Sequence, residues 1–210
     1  MRFFHICLIT GALGLLLPRE SVGQELPRFR IGGGGAADLL VGNASDFLDG
    51  GLGRFLGVEY RLDAGDHLRL YVDGGWSALK DDRDPILATT AENAVFTILG
   101  GPRLVGHFGP LRPFVAPSLG ILGVRWRFEP GRIGGDDAGT ETGLAWGAHA
   151  GLAVSIGSDY PIELGLEGRL LQAGEYGFAR APAPSGGDSA GFVRTDFGVI
   201  SVRLSAMIAM

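Results

Sequence analysis

Residues 143–171 read GLAWGAHAGLAVSIGSDYPIELGLEGRLL, and the fold follows from their alternation. Leu144, Trp146, Ala148, Ala150, Leu152, Val154 and Ile156 fall on every second residue, with Ala145, Gly147, His149, Gly151, Ala153 and Ser155 between them. That period is two, a strand period and not a helical one. Gly157-Ser158-Asp159-Tyr160-Pro161 supplies turn chemistry. Beyond it Ile162, Leu164, Leu166, Gly168 and Leu170 take one face, and Glu163, Gly165, Glu167 and Arg169 the other. A half-buried strand of a soluble protein points its charges at water. Here the charged face also carries small residues and both signs, as a narrow enclosed lumen needs, so the apolar face is expected outside, against lipid.

The same period recurs on both sides of this hairpin. Phe29 to Leu39 alternates weakly, carried mostly by glycine, and Leu56, Val58, Tyr60 and Leu62 oppose Gly57, Glu59 and Arg61. After the tight turn Asp63-Ala64-Gly65-Asp66, Leu68, Leu70, Val72, Gly74, Trp76 and Ala78 oppose Arg69, Tyr71, Asp73, Gly75 and Ser77. Ala94 to Leu104 forms the next segment, and Gly198, Ile200, Val202, Leu204, Ala206 and Ile208 mark the last. One segment changes parity: Val115, Leu119 and Ile121 are odd, whereas Val124, Trp126 and Phe128 are even. With Pro117 unable to donate and glycines at 120 and 123, a β-bulge between Gly120 and Gly123 is the economical expectation.

Short turns at 63–66, 106–111 and 157–161 alternate with long loops, among them 80–93, 129–142 and 172–191. This predicts an all-β, closed antiparallel up-and-down transmembrane barrel of about eight strands, with both termini on the short-turn, periplasmic side. Its 37 glycines in 210 residues, about 18% against a usual 7% or so, suit tightly packed β-structure.

Arg2, the apolar run Phe3 to Leu17, then Pro18-Arg19-Glu20 and Ser21-Val22-Gly23 have the three parts of a secretory signal peptide, so residues 1–23 are expected to be removed and 24–210 to form the barrel domain. Losing Arg2, Arg19 and Glu20 takes the net charge from −5 to −6, which offers nothing to nucleic acid. Cys7 would leave with the leader, so neither disulfide nor thiolate chemistry is expected.

The run Leu99-Gly100-Gly101-Pro102-Arg103, a short turn, then Arg112-Pro113-Phe114-Val115 with Gly120 beyond, resembles the central hairpin of the outer-membrane β-barrel family that includes the transmembrane domain of outer membrane protein A. Leu166-Glu167-Gly168-Arg169 and the terminal alternating strand are similar to the same family. The resemblance implies the outer membrane of a Gram-negative cell, contact with lipid and lipopolysaccharide, and insertion by the barrel-assembly machinery as a monomer. Such proteins usually end in an aromatic residue. Here the alternation ends at Met210.

The inner face collects Glu59, Arg61, Arg69, Asp73, Arg103, His149, Glu163, Glu167, Arg169 and Arg203. In an eight-stranded barrel only side chains fit inside, so these charges are expected to pair as a structural plug, with a gated ion path as the alternative. A lipid-modifying enzyme would need a serine and a carboxylate beside a histidine. His67 and His107 fall at periplasmic turns and His149 lies mid-strand, so no catalytic role, cofactor or metal is expected. Asp81, Asp82, Arg83, Asp84, Asp136, Asp137 and Glu141 are expected on outer loops, mostly solvated, with divalent-cation binding as the alternative. Trp76, Trp126, Trp146, Tyr60 and Tyr160 are expected in interfacial girdles. A soluble lipocalin-like barrel remains the competing architecture, and the direction of Leu164 and Leu166 separates the two.

Overall fold

The structure, a computed structural model, describes residues 28–46, 48–81, 90–129, 137–157, 162–180 and 191–210. The expected leader, Tyr160, the acidic residues at 82, 84 and 136 and Arg83 lie outside these. The strands are β1 (Phe29–Val41), β2 (Leu48–Arg61), β3 (Leu68–Asp81), β4 (Thr90–Val105), β5 (Leu111–Glu129), β6 (Asp137–Ile156), β7 (Ile162–Arg180) and β8 (Gly191–Ala209). A 3-10 turn, Gly42–Asp46, follows β1. Each strand pairs antiparallel with the next, and β8 returns to β1 from Arg30↔Ala209 to Val41↔Gly198, closing the barrel. Closure matters physically, because no backbone group can be left unpaired in hydrocarbon.

Leu164 is 47% and Leu166 54% exposed, and both point outward, as do Leu56, Val72, Ile98, Leu119, Leu152, Val202 and Leu204. Glu163, Glu167 and Arg169 are buried inside. This is the reverse of a lipocalin, whose apolar side chains line the interior.

Two expectations about β5 and the strand ends are corrected. The ladder between β5 and β6 runs in one register from Leu111↔Val154 to Phe128↔Asp137, and β5 keeps one register with β4. There is no bulge between Gly120 and Gly123. Even residues of β5 face inward throughout: Phe114, Ala116, Ser118, Leu122 and Val124 are buried, while Val115, Leu119, Ile121, Arg125 and Arg127 are exposed. The change of parity is one of surroundings. Toward the long-loop end the outer face becomes charged and the inner face apolar, because the strands run on past the apolar belt. For the same reason β4, β6 and β7 extend well into the stretches expected as loops. Trp126 accordingly turns to the inner side, against Gly139, and does not join a girdle. Trp76 and Trp146 do face outward, and Tyr60 packs on Phe29 at the opposite end of the belt, ring centroids 4.9 Å apart.

The bulges lie elsewhere, between Asp49 and Gly51 in β2 and between Ala173 and Glu175 in β7. The second inserts Gly174 and turns Tyr176 inward. Beyond it β7 approaches β5 and β4 across the barrel mouth. The Tyr176 hydroxyl donates to the Leu122 carbonyl at 3.2 Å, and its ring meets Phe197 edge-on. Together with Leu40, Leu79, Val95, Leu99, Val124, Leu171 and Val199 they form an apolar cap inside the outer end. Gly143 makes this possible, since a Cβ there would sit 2.6 Å from the Tyr176 hydroxyl.

Candidate functional site: the charges of the lumen

Below the cap, the alternation of each strand turns its charged residues to the axis. The layer nearest the short turns is built on Arg69 of β3. Its Nε and Nη2 each donate to Asp66 at 2.8 Å, its Nη1 meets Glu59 at 2.9 Å, and both terminal nitrogens reach Glu163 at 3.1 and 3.3 Å. Arg30 of β1 adds contacts to Asp66 at 2.8 Å and Glu163 at 3.3 Å, and Arg112 approaches Glu163 at 4.0 Å. Asp66 lies in the turn before β3 with φ +59, a left-handed conformation uncommon for a side-chain-bearing residue. That backbone places its carboxylate inside the barrel, 1% exposed, between two arginines.

The second layer sits toward mid-barrel. Arg169 holds Asp73 through both terminal guanidinium nitrogens, with Nη1 at 3.1 Å from Oδ1. Arg203 lies 2.8 Å from Glu167 and 3.5 Å from Asp73. Arg103 joins the layers, pairing closely with Glu59 below and lying 3.5 Å from Glu167 above. Aromatic rings wedge these groups. The Arg203 guanidinium lies 3.2 Å from the Phe55 ring centroid, and Arg103 covers Phe114 at 4.2 Å and Tyr71 at 5.2 Å. His149 packs against Tyr71 and Phe114, with Nδ1 3.4 Å from Glu167. Above, Asp38 accepts a hydrogen bond from Ser77.

The lower end is tied to the turns. The backbone N–H groups of Leu68 and His67 donate to Asp63 at 2.7 and 3.1 Å. Burial alone would raise the Asp63 carboxyl, but those two backbone donors outweigh it and hold the group below the usual aspartate range. His67 and His107 meet edge-on at these turns, as the sequence placed them, and His107 Nε2 lies 3.1 Å from the Asp66 carbonyl.

Of the ten residues expected on the inner face, nine enter the network. The exception is Arg61, which lies half-buried at the rim across from Arg69 and joins no ion pair among the described residues. Arg30, Asp38, Asp66 and Arg112 also belong inside, beyond the ten that the sequence places there. Arg30 alternates correctly in its strand, so its parity was the available signal. Asp66 was concealed by its turn sequence. Glu141, expected on a solvated loop, is a residue of β6 that accepts the Gly177 amide at 3.1 Å and lies 3.4 Å from Arg194.

The network balances. Arg30, Arg69, Arg103, Arg112, Arg169 and Arg203 face Asp38, Glu59, Asp66, Asp73, Glu163 and Glu167. Between them lie separate cavities of about 40, 20 and 10 Å³, room for isolated waters and not for a solute. Arg203 borders the upper two and Arg103 the lower two. Among the described residues no group of three or more His, Asp or Glu side chains is placed to hold a metal ion.

No protein-family model matches the chain, and no curated protein does. Solved structures do. Neisserial surface protein A is 13% identical over 87% of this chain and 97% of that one, with a TM-score of 0.58. Ail, the attachment invasion locus protein of Yersinia pestis, is 14% identical over 88% of this chain and 99% of that one, with a TM-score of 0.56. A second structure of Ail, in complex with the heparin analogue sucrose octasulfate, is 13% identical over the same 88% and 99%, also with a TM-score of 0.56. The fold is that of the small outer-membrane β-barrels, as the sequence resemblance implied.

Proposed function

We propose that this chain is a non-enzymatic barrel of the outer membrane, anchored by its apolar belt, sealed by the ion network and presenting its long-loop end to the outside for envelope integrity or adhesion. The observation that carries the reading is the pairing of an apolar outer face with a charge-balanced interior. Lipid solvates the one, and ion pairs compensate the other. Lipid and lipopolysaccharide surround the belt, where Trp76 and Trp146 mark the outer interface and Arg54 lies 5.8 Å from the Trp76 ring, and the assembly machinery inserts the chain as a monomer.

An enzymatic reading finds little support. His149 lies deep in the lumen against Tyr71, Phe114 and Glu167, where no lipid chain could reach it.

The test is topological. Asn43→Cys, exposed in the 3-10 turn at the long-loop end, should react with a membrane-impermeant maleimide on intact cells, and Pro110→Cys in a short turn only after permeabilisation. Reversed labelling, or recovery of the protein as a monodisperse monomer from buffer without detergent, would overturn the proposal.

A further inference from the structure

The lipid-facing belt carries one charge. Arg54 alternates outward in β2 between Leu52, 69% exposed, and Leu56, 74% exposed. Among the described residues it is the one charged side chain on that face between Tyr60 at the lower end and Trp76 and Trp146 at the upper.

Its depth follows from the register. The ladder that leaves β1 at Ile31 passes Val72 on β3 and Trp146 on β6 and returns to β1 at Val41, ten residues nearer the long-loop end. Strands roughly 4.8 Å apart and tilted by roughly 40° therefore climb about 3 Å at each step to the next strand, and about 2.5 Å per residue. Trp146, three strands on from Val72, and Trp76, four residues above Val72, come to one level. Arg54 lies opposite Trp76 but one strand earlier, about 3 Å below that level and within the apolar belt.

A guanidinium at that depth brings five N–H donors and a positive charge into hydrocarbon, where unpaired charges are costly. Within the protein it meets the Trp76 ring, 5.8 Å from the centroid, and no hydrogen-bond or ion-pair partner among the described residues. On its other flank, opposite Gly35, the surface is open: even a Cβ added there would find nothing nearer than 3.9 Å.

Charge and depth together select the occupant. The counterion must be an anion, and to reach a point flanked by Leu52 and Leu56 it must bring its own hydrocarbon. A second copy of the chain fails the first condition, since the belt of described residues bears no carboxylate on its outer face. We infer that Arg54 and Trp76 form a binding site for a phosphate of the lipopolysaccharide anchor. The planar fork of the guanidinium takes two phosphate oxygens, the Trp76 ring backs it, and an acyl chain lies along the open strip over Gly35. A phosphomonoester, with a charge of about −1.5 to −2 near neutral pH, is a stronger partner for a lone guanidinium than the singly charged diester of an ordinary phospholipid. This deepens the anchoring reading and rests on the long-loop end facing outward.

The experiment mixes the refolded full barrel, in a non-ionic maltoside detergent, with lipid A and with the same glycolipid stripped of its phosphates, and counts bound lipid by native mass spectrometry. The phosphorylated form should bind about tenfold more tightly, the gain expected from one charge-assisted pair. Arg54→Gln should bring that preference close to unity, Arg54→Lys should restore it in part, and Trp76→Leu should weaken it. Trp146→Leu should leave it unchanged, because Trp146 stands at the same level between Leu119 and Gln172 with no basic neighbour. Arg54 is exposed, so its variants should keep the urea midpoint of the native barrel. Equal binding of the two glycolipids by the native barrel, or a preference that survives Arg54→Gln in full, would overturn the proposal. So would phosphatidylglycerol binding as tightly as lipid A, or a dimer forming across this face in place of lipid. Binding in detergent is blind to orientation, so its failure is separate from a failure of the labelling test on cells, which reports orientation alone.

Discussion

Glu167 shows how much one lumen side chain is asked to do. Its carboxylate lies within 4 Å of Arg203, Arg103, Arg169 and His149. Glu167→Gln leaves Arg203 and Arg103 short of compensation in an enclosed space, and the barrel should lose about 3–5 kcal/mol. Glu92→Gln, at an exposed position of β4, should change stability by less than about 0.5 kcal/mol. Urea midpoints of both variants in one detergent check this, and equal midpoints would refute the assignment. Asp63 gives a pH prediction. Its carboxyl is held below the ordinary range in the folded barrel, so its contribution is fully present above the unfolded value of about 3.9 and is lost as pH falls through the lowered folded value. A carboxyl-carbon NMR titration should place the Asp63 midpoint below that of an unfolded aspartate, and a midpoint at or above it would contradict the backbone-donor account. At this scale the sequence was a good guide wherever a charge sat within a strand, because parity alone assigns the face. It misled at Asp66, whose direction depends on a left-handed φ that Asp63-Ala64-Gly65-Asp66 does not disclose.

The elements were legible where lipid imposes its alternation and obscure where it ceases to. On β5 the apolar residues change face between Ile121 and Val124 although the backbone does not, since the solvent outside changes from lipid to water and the lumen changes from charged to capped. A bulge is the natural inference from the residues alone, and Pro117 favours it. Instead the β4–β5 ladder skips from Gly100↔Leu119 to Leu104↔Val115 in the same register, and the Tyr71 hydroxyl takes the Pro117 carbonyl at 2.9 Å. The true bulge at Gly174 lies in a stretch too poor in apolar alternation to show it. Its consequence is testable through the cap. Gly143→Val would force a side chain into the space of the Tyr176 hydroxyl and should destabilise the barrel by about 1–3 kcal/mol. In a Tyr176→Ala background the same change should cost clearly less, and a strictly additive double-mutant cycle would sink the proposed packing.

For the whole molecule, the cavities of about 40, 20 and 10 Å³ among the described residues, interrupted by Arg203 and Arg103 and closed above by the cap, imply that vesicles reconstituted with the barrel take up no small sugars. Measurable sugar-driven swelling would refute a sealed interior. The ion pairs also join strands far apart along the chain: Arg69 and Glu163 are 94 residues apart, Asp73 and Arg169 are 96, and Asp73 and Arg203 are 130. Such partners cannot meet until β8 has reached β1. The lumen charges therefore act as a latch that engages only after insertion, leaving the growing sheet hydrated on its inner side while it assembles. Variants such as Glu167→Gln should insert at nearly the rate of the native chain and come apart faster, which places the network's contribution in how long the finished barrel lasts.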